Sequence, residues 1–81
     1  MIAVYPNPVK SSQTLTVTAH LEGEQSKGAR ILIHKINGTY IGSYNLDGDI
    51  TKIIMPAVAG NYTVSLQNNS GILKTFTDIV K

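Results

Sequence analysis

The sequence predicts an all-β protein, an Ig-like β-sandwich of about seven antiparallel strands. Short runs rich in Ile, Val, Leu and Thr are separated by turn residues at the spacing typical of sandwiches. Residues 14–21 alternate strictly between apolar side chains and Thr or His, as a half-buried strand does. No stretch has the apolar spacing of an amphipathic helix. A chain of 81 residues has room for one small domain.

Turn residues set the limits of the expected strands. Pro6 ends the first strand because proline has no N–H to donate to a ladder. Asn37-Gly38 predicts a hairpin with a type I′ turn, in which both central residues take positive φ. Asp47-Gly48 and the cluster at 68–71 mark two further turns. The expected strands are 2–5, 14–21, 29–36, 39–46, 50–55, 61–67 and 72–80.

Tyr62 is the expected anchor of the core. It shares one face with Val64 and Leu66, while polar residues alternate on the other face. Its place early in a late strand is that of a tyrosine corner, so its hydroxyl should bond to the backbone of the preceding connection.

The last strand has an imperfect alternation. Ile72 and Phe76 have one parity, and Leu73 and Ile79 have the other. A β-bulge in this strand would reconcile them.

Composition and charge exclude several classes of function. The apolar fraction of 42% and the charged fraction of 15% argue against disorder. The net charge of +2 is spread along the chain, so we expect no nucleic-acid partner. Cysteine is absent, and no apolar run is long enough for a transmembrane segment.

The candidate catalytic and metal-ligating residues also have simpler interpretations. His20 and His34 lack a third convergent ligand, so we expect surface histidines, no metal site and no cofactor. Asp47-Gly48-Asp49 is read as a turn rather than a calcium loop. The sequence has no nucleophile elbow and no phosphate-binding loop. We therefore expect that the protein is not an enzyme.

Two separated segments carry a family resemblance. Val4-Tyr5-Pro6-Asn7-Pro8 lies near the start, and Met55-Pro56-Ala57-Val58-Ala59-Gly60-Asn61-Tyr62-Thr63-Val64 is followed by Gly71 and then Ile79-Val80-Lys81. In this order they resemble the C-terminal sorting domain of the type IX (Por) secretion system, type A. The resemblance assigns the sorting-signal motif to Tyr5, Pro6, Asn7, Pro8, Gly60, Tyr62, Gly71, Ile79, Val80 and Lys81.

The resemblance implies that residues 1–81 are a single C-terminal sorting domain, expected to be a piece excised from a larger secreted protein. Such a domain directs attached cargo from the periplasm across the outer membrane to the cell surface or the medium. The implied partners are the type IX translocon and a sortase-like peptidase. The connection 55–60 is longer than the family's usual Pro-Ala-Gly, and Asp78 lies where the family is often rich in Lys.

Recognition is expected at the last strand. An exposed edge there would accept a partner strand, with Lys74, Asp78 and Lys81 blunting the edge against aggregation.

A second hypothesis is a non-catalytic accessory binding module of an extracellular bacterial protein. Tyr40 and Tyr44, four apart on one strand face, would start an aromatic platform for it, unless they only pack across the sheet. The cargo, the cleavage site and the oligomeric state stay open.

Overall fold

The computed structural model of the chain describes residues 2–81, and these form seven β-strands with no α-helix. The all-β fold class is confirmed. A single 3₁₀ turn at Gly23–Ser26 interrupts the connection between the second and third strands. The strands are β1 (Ile2–Tyr5), β2 (Thr14–Ala19), β3 (Arg30–Lys35), β4 (Tyr40–Asn45), β5 (Ile50–Ile54), β6 (Gly60–Asn68) and β7 (Gly71–Val80).

The strands form two antiparallel sheets. One has the order β1-β2-β5 and the other the order β4-β3-β6-β7. Relative to a seven-stranded constant-type immunoglobulin domain, the fourth strand joins the sheet of β3, β6 and β7 instead of extending the sheet of β1, β2 and β5. In the described part of the chain there is no helix with the length and apolarity needed to cross a bilayer.

The core lies between the two sheets, and β2 shows why. Leu15, Val17 and Ala19 are buried, whereas the threonines between them are only half-buried, because successive side chains of a strand point to opposite faces. Burying one large aliphatic side chain contributes roughly 1.5–3 kcal/mol. The other buried apolar residues are Val9, Ile31, Ile33, Ile53, Met55, Tyr62, Val64, Leu66 and Val80.

The β3–β4 hairpin has a different turn from the one expected. Gly38 takes positive φ, at 95°, as predicted, but Asn37 does not. The N–H of Gly38 donates to the Lys35 carbonyl at 2.8 Å, and the N–H of Lys35 donates to the Thr39 carbonyl at 2.8 Å. This is a three-residue loop in which a glycine with positive φ follows the turn. The predicted type I′ turn is therefore wrong.

β7 contains a bulge, as proposed, and it reconciles two of the four residues, Leu73 and Phe76. Leu66 pairs with Lys74 but Gln67 pairs with Ile72, which leaves Leu73 as an extra residue in β7. Leu73 and Phe76 then both pack against the core, although they differ in parity. Ile72 and Ile79 stay exposed.

The sandwich has two ends with different contents. The motif end contains residues 5–14, 35–40, 54–62 and 77–81, and the loop end contains residues 19–30, 45–50 and 68–71. Strand register defines them, since Lys35 pairs with Tyr62 and Gly60 pairs with Val80 at the motif end. Arg30 pairs with both Asn45 and Gln67 toward the loop end.

Candidate functional site: the edge segment 7–11 and the end of β7

Asn7 joins the segment after β1 to the last strand. Its side-chain Nδ2 donates to the Thr77 carbonyl at 3.0 Å, and the N–H of Ile79 donates to its Oδ1 at 3.1 Å. A carboxamide has a donor and an acceptor side by side, so it can bond to a strand edge as a peptide group does. The flanking residues Pro6 and Pro8 have no N–H, so the Asn7 side chain supplies the donor.

The chain then follows the edge of β7 for four more residues. The N–H of Val9 donates to the Ile79 carbonyl at 2.8 Å, and the N–H of Lys81 donates to the Val9 carbonyl at 2.9 Å. Ser11 donates both its N–H and its hydroxyl to the Lys81 carbonyl, each at 2.9 Å. This edge segment, residues 7–11, runs parallel to β7, and Val9 forms a bridge with Val80.

β7 is the edge strand of its sheet, as expected, but the end of β7 is not an exposed edge, and the expectation is wrong for these residues. Residues 77–80 lie between β6 on one side and the edge segment on the other, and Lys81 is bonded to the edge segment. Partner strand addition at these residues would have to displace the edge segment. The reason is that Asn7 and Val9, about 70 positions away in sequence, already occupy the outer hydrogen-bonding positions.

Asp78 does not protect the strand edge either. Its side chain points into the sandwich, only 1% exposed, and it pairs with Tyr62 across the sheet. Its Oδ1 has no hydrogen-bond partner within residues 2–81. Because burial disfavours the charged form, the pKa of the Asp78 carboxyl is raised above its ordinary value. Of the three residues expected to blunt this edge, Lys74 and Lys81 are exposed and only Asp78 is buried.

Tyr62 closes the same end of the core. It is 1% exposed, and its hydroxyl donates to the Val58 carbonyl at 2.7 Å. Both features were predicted and are confirmed. The carbonyl of Pro56 accepts the N–H of Ser12 at 3.3 Å, which joins this connection to the loop after the edge segment.

The structure thus brings most of the predicted motif residues to one place. Gly60 begins β6 opposite Val80, with Tyr62 two residues further along the strand. Tyr5 and Pro6 are exposed just before the edge segment, and Pro8 is exposed within it. Gly71 is the exception, because it pairs with Asn68 at the loop end, at the far end of the β6–β7 hairpin.

Three carboxylates at the loop end form ion pairs with neighbouring side chains. His20 lies 3.0 Å from both Glu22 and Asp49, and Lys27 lies 2.9 Å from Glu24. Hydrogen bonds to Glu22 and then Asp49 raise the pKa of the His20 imidazole. All of these side chains are exposed, so screening makes each pair worth little stability. Residues 2–81 contain no cluster of three His, Cys, Asp or Glu side chains suited to a metal.

The two tyrosines of β4 do not share a face, so the aromatic platform that the second hypothesis needs is absent from this strand. The pairing of β3 with β4 shifts between Ile33 and His34. As a result Tyr44 pairs with the core-facing Ile31, whereas Tyr40 pairs with His34 on the outer face. The rings of His34 and Tyr40 meet edge to face, with centroids 5.6 Å apart.

The protein is a small β-sandwich module of two antiparallel sheets. Its edge segment, close to the start of the chain, is hydrogen-bonded to the end of β7. Comparison with protein families identifies it further. The family model described as "Secretion system C-terminal sorting domain" matches residues 3–81. The chain belongs to this family, the C-terminal sorting domains of type IX secretion. No curated protein matches the sequence.

Family membership makes this domain a C-terminal sorting signal of type IX secretion. The family is not a catalytic one. Membership also implies interaction with the secretion machinery and export to the cell surface or secretion.

Proposed function

We propose that this domain directs an attached cargo protein from the periplasm through the outer-membrane type IX translocon, and that a sortase-like peptidase then acts on the exported protein. The cargo reaches the cell surface or the medium. In this proposal residues 1–81 are the terminal module of a larger secreted protein, and the sorting-signal motif is read as part of a folded domain.

The supporting observation is the pairing of the edge segment with the end of β7. Asn7, near the start of the signal, bonds to Thr77 and Ile79 near its end. Two motif segments that are distant in sequence therefore form one surface, and it exists only in the folded domain. A receptor that reads this surface would accept a folded module and reject an unfolded one.

The test is a periplasmic reporter protein fused in front of the full chain, expressed in a bacterium with a working type IX system. We expect the reporter at the surface or in the medium. The same fusion should stay in the periplasm of a strain that lacks the translocon, and so should the reporter without the domain. Surface delivery that is independent of the translocon would refute the proposal.

A second arm deletes residues 77–81 from the fusion, and we expect the reporter to remain in the periplasm. The deletion also removes Val80, which is 2% exposed in the core, and the partners of Asn7. Circular dichroism of the isolated variant must therefore accompany the assay. Normal export of a truncated domain would show that the end of β7 is not needed for sorting.

A further inference from the structure

The motif end has exposed aliphatic side chains on either side of a small groove. Ile36, in the β3–β4 loop, is 59% exposed, and Val58, in the β5–β6 connection, is 63% exposed. The groove between these two loops has a volume of about 190 Å³, and Lys35, Gly60 and Tyr62 also line it. Drug-sized ligands occupy pockets of roughly 300–1,000 Å³, so this groove fits one side chain better than a whole small molecule.

The two ends of the domain differ in their side-chain carboxylates. The motif end contains Lys10, Lys35 and Lys81, and no exposed side-chain carboxylate. The exposed side-chain carboxylates of the described chain lie at the loop end, and they are Glu22, Glu24, Asp47 and Asp49. The ion pairs found within residues 2–81 are at the loop end as well. The lysines of the motif end are thus available to a partner of opposite charge.

We infer that the groove is a docking site for an acidic protein segment, with one apolar side chain of that segment seated between Ile36 and Val58. This inference rests on the proposed sorting function, since it gives the chemistry of the partner that reads the motif end. Lys35 lines the groove and would pair with a carboxylate beside the anchoring side chain. Lys10 and Lys81 add attraction from the same end of the sandwich.

A protein partner explains the groove better than a membrane does. An anionic bilayer would attract the three lysines by about 1 kcal/mol each without any need for a groove between two loops. A recessed site flanked by exposed aliphatic residues is the arrangement in which an apolar anchor is desolvated at a protein interface.

The inference is tested by amide chemical shifts of the labelled full chain during titration with a short Asp/Glu peptide that has one central leucine. We expect saturable shifts at 35–37 and 58–62. A peptide with serine in place of leucine should bind at least about tenfold more weakly, and so should Val58→Ser and Lys35→Glu variants. Lys52→Glu, an exposed lysine in the middle of β5, is the matched control and should bind like the parent.

Several results would overturn the inference. One is shifts that are equally large with a lysine-containing peptide, or that fall at the loop end. Binding to anionic phospholipid vesicles without binding to the acidic peptide would assign the surface to a membrane. Concentration-dependent dimerisation lost in Val58→Ser would assign it to a second copy of the chain.

The export assay separates this inference from the proposed function. If the parental fusion is exported and the folded Lys35→Glu and Val58→Ser fusions are exported equally well, the groove is not the docking site, although the sorting function stands. If the parental fusion is not exported, the sorting function fails, and the peptide titration still decides whether the groove binds acidic segments.

Discussion

Replacing Asn7 with alanine removes both side-chain hydrogen bonds between the edge segment and β7. The lost partners are the Thr77 carbonyl at 3.0 Å and the Ile79 N–H at 3.1 Å. Each such bond is worth about 0.5–1.5 kcal/mol net, and water can reach these exposed groups once the side chain is gone. We therefore expect a loss of about 1–2 kcal/mol in the free energy of unfolding, a large share of the roughly 5–15 kcal/mol that is typical of folded domains.

Urea denaturation measures this loss as a lower midpoint at an unchanged m value. Amide hydrogen exchange locates it, because the N–H of Ile79 should exchange faster while the amides in the middle of β3 change little. Asn45→Ala is the control, since Asn45 is an exposed asparagine at the end of β4 with no side-chain hydrogen bond to residues 2–81.

The reasoning fails if the free energy of unfolding of Asn7→Ala lies within about 0.5 kcal/mol of the parent's, the range typical of neutral surface changes, and the Ile79 amide keeps its protection. The Asn7 side chain would then not hold the two ends of the signal together in solution. A different outcome is that the Asn7→Ala domain is destabilised but its fusion is exported at the parental level. Recognition would then not depend on the two Asn7 hydrogen bonds.

Five other substitutions, at four positions, have expected outcomes. Tyr62→Ala should lower the free energy of unfolding by roughly 3–5 kcal/mol in urea denaturation and abolish export, whereas Tyr62→Phe, which loses only the bond to Val58, should lose about 1 kcal/mol. Gly38→Val should lower the free energy of unfolding by roughly 1–3 kcal/mol because φ is positive there, since nothing lies within 4 Å of an added Cβ. Gly42→Ala should leave the free energy of unfolding nearly unchanged. Asp78→Asn should raise the free energy of unfolding by roughly 1–2 kcal/mol at neutral pH. A parental domain at least as stable as the variant would contradict this.

The pH dependence of the parent follows from the same carboxyl group. Because the pKa of Asp78 is raised in the folded state, the native protein binds this proton at a higher pH than the unfolded chain does as the pH falls. Protonation of Asp78 therefore stabilises the folded state. This stabilisation is fully present below the ordinary carboxyl pKa and is lost as the pH rises through the raised pKa. Asp78→Asn should remove this slope, which urea midpoints measured across the acidic range would show.

Local pattern was enough to predict the strands and the main anchor of the core. The period-2 alternation of β2 fixes which side chains are buried, because a strand has only two faces and one of them must pack. The same logic placed Tyr62 inside, and the penalty on side chains at positive φ placed Gly38 in its turn. Residues close in sequence carry all of these signals.

Bulges were harder to place from the sequence. One extra residue in β7 exchanges the faces of everything beyond it, and a similar shift separates Tyr40 from Tyr44. A bulge depends on how the neighbouring strand is registered, so alternation within one strand indicates that a bulge is needed but not always where. In β4 the spacing of the two tyrosines gave no sign of it.

The chain itself determined the all-β class and the strand order along the sequence, and the motif residues stay a prediction from the family resemblance. Only the tertiary structure decided that Asn7 bonds across to Thr77 and Ile79, that Asp78 is buried, and that Ile36 and Val58 flank one groove. These facts depend on which distant backbone edges meet when the two sheets pack. Alternation along a single strand shows which face of that strand is buried. It does not show which distant segment pairs with the strand, because the pattern extends only to the next turn.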